Sequence, residues 1–156
     1  MRQWIGVLGV AALTVASFRS YAASAGEDGV QAVDAAWEKA VEANDLDAVM
    51  ACYASDAVAW LPGSPELKGA EAIRQSYKEL FATNTIKDAS FSETHYTTVG
   101  ERSVGWGRFS ISLVPKGSDR PVVALGRFTE VAERRGGRWV YVVDHASAEP
   151  VPAPKP

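Results

Sequence analysis

The chain has 156 residues, 47% hydrophobic and 22% charged, with a formal net charge of −3. That balance fits one soluble globular domain and excludes a disordered or fibrous chain. No basic cluster or basic helix face is present, which argues against nucleic acid and anionic membrane as partners, and the single cysteine, Cys52, excludes an internal disulfide.

In chain order, Arg2 precedes the apolar run from Trp4 to Ala16, Arg19 closes it, and small residues follow at Ser20-Tyr21-Ala22 and Ala23-Ser24-Ala25. Residues 1–25 therefore read as a secretory signal peptide. The run is well short of the roughly 20 residues that span a bilayer, which disfavours a permanent anchor, and no cysteine near the cleavage site suggests lipid attachment. The expectation is an exported protein, periplasmic or secreted, whose mature form begins near Ala23 or Gly26 and has no membrane contact. Cleavage after Ala25 removes Arg2 and Arg19 and no acid, leaving 14 basic against 19 acidic residues, a net charge of −5. Without disulfides the mature domain depends on its apolar core, where Cys52 is expected to sit, a reactive thiol being the alternative.

From Gly29 to Ala43, Val30, Val33, Trp37 and Val41 recur at intervals of three and four, predicting a first helix. Asp45 is placed to cap a second, short helix with Leu46, Val49, Met50 and Tyr53 inward, ended by Ser55 and Asp56. AVAWLPGSP reads as a brief strand stopped by Pro62, Gly63 and Pro65, and Gly69 opens a third helix with Ile73, Tyr77 and Leu80 inward. Residues 90–99, 103–114, 122–133 and 138–147 are rich in β-branched and aromatic side chains, with turn signals between them, predicting four successive antiparallel strands. The domain is thus expected over residues 26–148, followed by a tail, 149–156, holding Pro150, Pro152, Pro154 and Pro156. Helices grouped before strands argue an α+β fold, three N-terminal helices packed on one side of a curved antiparallel sheet and enclosing a pocket.

Four local motifs accompany this order: Asp45-Leu46-Asp47 at a helix start, Tyr53-x-x-Asp56-Ala57 stepping into a strand, Gly69-x-x-Ala72-Ile73 opening a helix, and Gly137-x-Trp139 entering the last strand. Together they resemble the SnoaL-like and ketosteroid-isomerase-like members of the nuclear transport factor 2-like superfamily, over about residues 29–148. The resemblance implies a cone-shaped fold with a cavity between sheet and helices, used by some members for acid-base chemistry on small organic molecules and by others for binding or dimerisation. Function then rests on the cavity's own residues. Ketosteroid isomerases place a tyrosine oxyanion donor in the first helix, a carboxylate base at the end of the first strand and a protonated acid on a later strand. The matching positions here hold Trp37, Leu61 and Thr129. Leucine takes no proton, so that mechanism has lost its base. Tyr77 stands where the isomerases carry a tyrosine supporting the oxyanion network, or it fills the core.

If Gly136-Gly137 make a two-residue turn, Thr129 pairs with Asp144 and Phe128 with His145. Alternation then puts Arg127, Thr129, Val131, Val140, Val142 and Asp144 on one face, and Phe128, Glu130, Trp139, Tyr141, Val143 and His145 on the other. The resemblance turns the Asp144 face into the cavity, with Trp106 and Arg108 from the preceding strand; a slip of one residue would exchange the faces. Asp144 with Arg127 is the candidate catalytic pair, and Trp37, Tyr77, Trp106, Arg108 and Thr129 the candidate ligand-binding set. Asp144 is read three ways: a base, a ligand anchor, or a structural ion pair with Arg127.

His145 falls on the outer face with Trp139 and Tyr141, where the apolar stripe Trp139, Tyr141, Val143 suggests a homodimer. Two isolated histidines and one cysteine give no support for a metal. Gly105 and Gly107 flank Trp106 inside a strand and mark curvature, not a phosphate loop, and no cofactor is expected. The ligand class is a small, mostly apolar organic molecule with a polar end. Cofactor-free proton transfer of isomerase, cyclase, hydratase or lyase type and a non-catalytic binding or dimerising module are the two function classes.

Overall fold

The structure, a computed structural model, describes residues 29–149. The signal-peptide expectation and the proline-rich tail from Pro150 fall outside the described residues. Three helices, α1 (Val30–Glu42), α2 (Leu46–Met50) and α3 (Gly69–Thr83), pack on a six-stranded sheet built from β1 (Tyr53–Trp60), β2 (Leu67–Lys68), β3 (Asn84–Val99), β4 (Arg102–Pro115), β5 (Val122–Arg135) and β6 (Arg138–Ala148). Strand order is β2-β1-β6-β5-β4-β3, antiparallel except where β1 runs parallel to β6.

Helix α1 buries Val30, Val33, Ala40 and Val41, and Asp34 with them on the apolar face. Its first amide, Val30 N–H, donates to Ser103 Oγ at 3.0 Å inside the core. The helix also covers the free edge of β3: Phe91 and Ala89 N–H donate to the Glu38 and Glu42 carboxylates at 2.9 and 3.1 Å. Asn44, in the turn after α1, accepts Ile86 N–H and donates to Ile86 O. Edge amides that would otherwise invite another strand are thereby closed.

Asp45 caps α2 by accepting the N–H groups of Asp47 and Ala48. The helix stops at Met50 instead of running through Tyr53, because Tyr53 pairs with Tyr141 of β6 and Tyr141 N–H donates to Cys52 O at 2.8 Å. Sheet pairing overrides the helical spacing of Leu46, Val49, Met50 and Tyr53. Cys52 is buried, its thiol acidity suppressed to about 12 by burial, so the reactive-thiol alternative has no support. Strand β3 begins at Asn84, six residues before the expected Ser90, since Thr85 and Ile86 already pair with Val114 and Leu113 of β4.

The last hairpin departs from simple alternation. Arg135 faces Arg138 across Gly136-Gly137 and Ala132 faces Tyr141, as a two-residue turn requires, but Val131 then faces Val143. Val142 is therefore an extra residue, a β-bulge. Beyond it every pairing moves by one, so Glu130 faces Asp144 and Thr129 faces His145. Tyr141 and Asp144 both point inward, three residues apart, whereas Arg127, Thr129 and His145 are exposed on the outer face. The expected outer stripe is corrected accordingly: Tyr141 is buried and Trp139 is half-buried against the core, leaving only Val143 in the outer row.

Ser103 ties the start of α1 to the sheet from a fully buried position. Ser103→Ala is expected to lower unfolding free energy by about 1–3 kcal/mol by leaving Val30 N–H without an acceptor, measured by urea denaturation. An unchanged midpoint would mean that water replaces the hydroxyl.

Candidate functional site

Helices α1 and α3 and the concave face of the sheet enclose a cavity of about 270 Å³. Trp37, Tyr77, Phe91, Phe109 and Phe128 supply aromatic wall, with Phe91 and Phe128 centroids 4.7 Å apart and Trp37 and Phe91 5.5 Å apart. Among the described residues, Ser64, Ser76, Glu130 and Asp144 are the polar side chains that complete it, and no lysine or arginine is in the wall. A cavity of this make-up suits a largely apolar guest with one or two hydrogen-bonding groups.

Asp144, on β6, accepts a 2.6 Å hydrogen bond from Tyr53 O–H. The Tyr53 and Tyr77 hydroxyls lie 2.9 Å apart, and Trp37 Nε1–H donates to Tyr77 at 2.8 Å. Tyr53 has one proton and spends it on Asp144, so Tyr77 must donate to Tyr53. The chain has one direction: Trp37 to Tyr77, Tyr77 to Tyr53, Tyr53 to Asp144. Burial raises the Asp144 pKa to about 6; the Tyr53 hydrogen bond holds it back, and the nearby Asp34 carboxylate pushes it up. Burial likewise suppresses ionisation of Tyr53 and Tyr77, which stay neutral donors.

A second polar cluster lies beside the first. Asp34 of α1 accepts Tyr141 O–H at 2.5 Å and Tyr96 O–H at 2.8 Å. Glu130, beside Asp144 across the β5/β6 pair, also meets Asp34. Burial and the Asp34 and Asp144 charges push the Glu130 pKa well above the usual carboxylate range. Gly105 makes the meeting possible: a Cβ there would stand 2.6 Å from Val30 and 3.0 Å from the Tyr96 ring. Its lack of a side chain lets α1 lie close against the sheet.

Of the expected site residues, the structure brings Trp37, Tyr77 and Asp144 together at the cavity. Arg127, Thr129, Trp106 and Arg108 are not among its lining. Alternation along β5 puts Arg127 and Thr129 on the outer face and the bulge at Val142 turns Asp144 to the inner one, so the Asp144–Arg127 pair does not form and Tyr53 partners Asp144 instead. Trp106 is 43% exposed and stacks on His95, centroids 5.4 Å apart. Arg108 pairs with Glu93 and Glu149. Leu61, at the isomerase base position, lines the cavity as hydrocarbon. Among the described residues, no group of three or more His, Cys, Asp or Glu is disposed to hold a metal ion.

Sequence reasoning missed Asp34, Tyr53 and Glu130. Asp34 left a signal, since it follows Val30 by four and precedes Trp37 by three on the apolar face of α1, where a lone acid needs buried partners.

A family model of the SnoaL-like domain matches residues 33–142. The chain belongs to the SnoaL-like family. No curated protein matches its sequence. Among solved structures it is similar to a candidate calcium/calmodulin-dependent protein kinase II association domain from Xanthomonas campestris, at 22% identity and a TM-score of 0.70, covering 78% of this chain and 86% of that one. It is similar also to a candidate dehydratase of the nuclear transport factor 2-like family from Streptomyces avermitilis, at 20% identity and 0.68, covering 78% and 95%. A ketosteroid isomerase-like protein from Erwinia carotovora atroseptica follows at 20% and 0.66, covering 76% and 92%. These likenesses establish the SnoaL-like, nuclear transport factor 2-like cone fold and leave the chemistry to the cavity.

Asp144 binds its proton more tightly folded than unfolded, its pKa rising from 3.8 to about 6. Its contribution to stability is therefore fully present below about pH 4 and is lost as pH rises through about 6. The loss amounts to about 3 kcal/mol at most for this group. Asp144→Asn removes that dependence, so its unfolding free energy relative to wild type is expected to improve between pH 4 and pH 7.5. A difference between the two proteins that does not change with pH would show that the carboxyl is not desolvated.

Proposed function

We propose that this SnoaL-like protein is exported and binds a small, mostly apolar organic molecule in its cavity, moving a proton on it with Asp144 and no cofactor. The observation that carries the reading is a carboxyl poised at about pH 6 in the wall of an apolar cavity, held by a one-way hydrogen-bond chain from Trp37. A general base works best with a pKa near the ambient pH. Above about pH 6 the carboxylate oxygen not engaged by Tyr53 takes a proton from an acidic carbon of the ligand. The neutral acid then returns it to a neighbouring atom, which gives a net proton shift. Tyr53 stays bonded throughout and keeps the carboxyl oriented. A purely binding role is the second reading, favoured by the hydrocarbon side chain at Leu61.

In deuterated water with a panel of small cyclic ketones and enones, wild-type protein is expected to catalyse deuterium exchange beside the carbonyl, the rate rising through an apparent pKa near 6. Asp144→Asn is expected to slow exchange by about 10²–10⁴-fold. Compounds that bind, by NMR line broadening, but never exchange would reduce the protein to a binding module.

The outer sheet face supports pairing of two copies. His95, Trp106, Thr129, His145 and Trp60 form one row across five strands, with both indoles more than two-fifths exposed. Apolar surface of that kind suits a protein partner. Sedimentation at tens of micromolar is expected to give a dimer, and Trp106→Arg a monomer; a wild-type monomer would overturn this assignment.

A further inference from the structure

Glu130 lines the cavity beside Asp144, yet the proton transfer assigned to Asp144 makes no use of it. The residue is only 4% exposed, and its Oε2 has no hydrogen-bond partner among the described residues. A buried polar atom left unpaired is costly, and native proteins seldom keep one without a use. Its surroundings define what could pair with it. Tyr141 and Tyr96 both donate to Asp34, and the Glu130 carboxyl meets that same Asp34 carboxyl. No described group donates to Glu130 Oε2, which is left as an acceptor. A guest must bring a donor to it.

The same wall constrains the remainder of the guest. Among the described residues no lysine or arginine lines the cavity, and the Asp34 and Asp144 carboxylates stand close, which disfavours carboxylates and phosphates. Trp37, Phe91, Phe109 and Phe128 require an apolar body. We infer that Glu130 is a specificity residue and that the ligand class is an uncharged, apolar compound carrying a hydroxyl, whose O–H donates to Glu130 while its reacting carbon faces Asp144. The inference rests on the cavity being the ligand site proposed above.

The test compares two probes of one shape, benzyl alcohol and ethylbenzene, by calorimetric or NMR titration of the full mature chain. Glu130→Met removes the acceptor and keeps the volume; Glu130→Gln keeps a carbonyl oxygen. Glu130→Met is expected to weaken benzyl alcohol about tenfold, the worth of one such hydrogen bond, with ethylbenzene unchanged or tighter. Glu130→Gln is expected to stay within about threefold of wild type for both. Should Glu130→Met fail to fold, the wild type still decides: the infrared carbonyl band of the protonated Glu130, assigned by its loss in Glu130→Gln, is expected to shift to lower frequency with benzyl alcohol and not with ethylbenzene. An unmoved band, or equal weakening of both probes by Glu130→Met, overturns the inference. So does benzylamine binding more tightly than benzyl alcohol at pH 7.5, which would assign the site to an ammonium. If these results fail while Asp144→Asn still abolishes exchange, only the ligand class is lost. If they hold while no exchange occurs, the ligand class stands and the catalytic reading falls.

Discussion

One extra residue, Val142, decides which side chains of the last strand turn inward. A strand without it would point Tyr141 and Asp144 to opposite faces, because alternate residues leave a sheet on opposite sides. The bulge lets both face the helices, and it slides β5 so that Glu130, not Thr129, stands beside Asp144. Tyr141 then reaches Asp34, Tyr53 reaches Asp144, and the two clusters meet through Glu130. Remove the bulge, with Ala132 and Tyr141 still inward, and β6 would turn His145 in beside Phe128 and Asp144 out beside Thr129.

The arrangement runs against folding stability. Asp34, Glu130 and Asp144 are all buried, no basic side chain among the described residues lines the cavity, burial raises the pKa of each, and neighbouring carboxylates push Glu130 and Asp144 further up. Isolated buried carboxylates are expensive, and here hydroxyls are what hold them: Tyr141 and Tyr96 on Asp34, Tyr53 on Asp144. Hydroxyl donors orient a carboxylate without neutralising it, so Asp144 keeps a poise near neutrality that an arginine partner would have driven down. Strongly perturbed groups gathered in a cleft are the usual mark of a functional site. An Asp144–Arg127 pair would have been the more stable and less reactive solution.

The isomerase pattern is rearranged in this cavity. The carboxylate position at the end of β1 is filled by Leu61, and the cavity's carboxyl groups come instead from β6 and β5. Trp37 and Tyr77 remain hydrogen-bonded, but their chain ends on Asp144 through Tyr53. The fold thus offers several strand positions from which a carboxyl can enter one cavity, and family membership does not say which is occupied.

Local signals determined the framework without help from the tertiary structure. The three-and-four spacing of Val30, Val33, Trp37 and Val41, the Asp45 cap and the Gly136-Gly137 turn each depend on residues near one another in the chain, so helices, hairpin and family were legible. The inward direction of Asp144 was legible too, although the argument for it assumed an unbroken register. What only the tertiary structure decided was its company. Whether β6 accommodates Val142 as a bulge depends on β1 pairing in parallel on its other side, through Tyr53 with Tyr141 and the Tyr141 N–H to Cys52 O bond. That contact joins residues nearly ninety positions apart, and no periodicity within either strand records it. For the same reason Arg127 read as a partner of Asp144, while Tyr53, Asp34 and Glu130 did not: pairing across a sheet is set by the register between strands, which a single residue changes and the pattern along one strand cannot reveal.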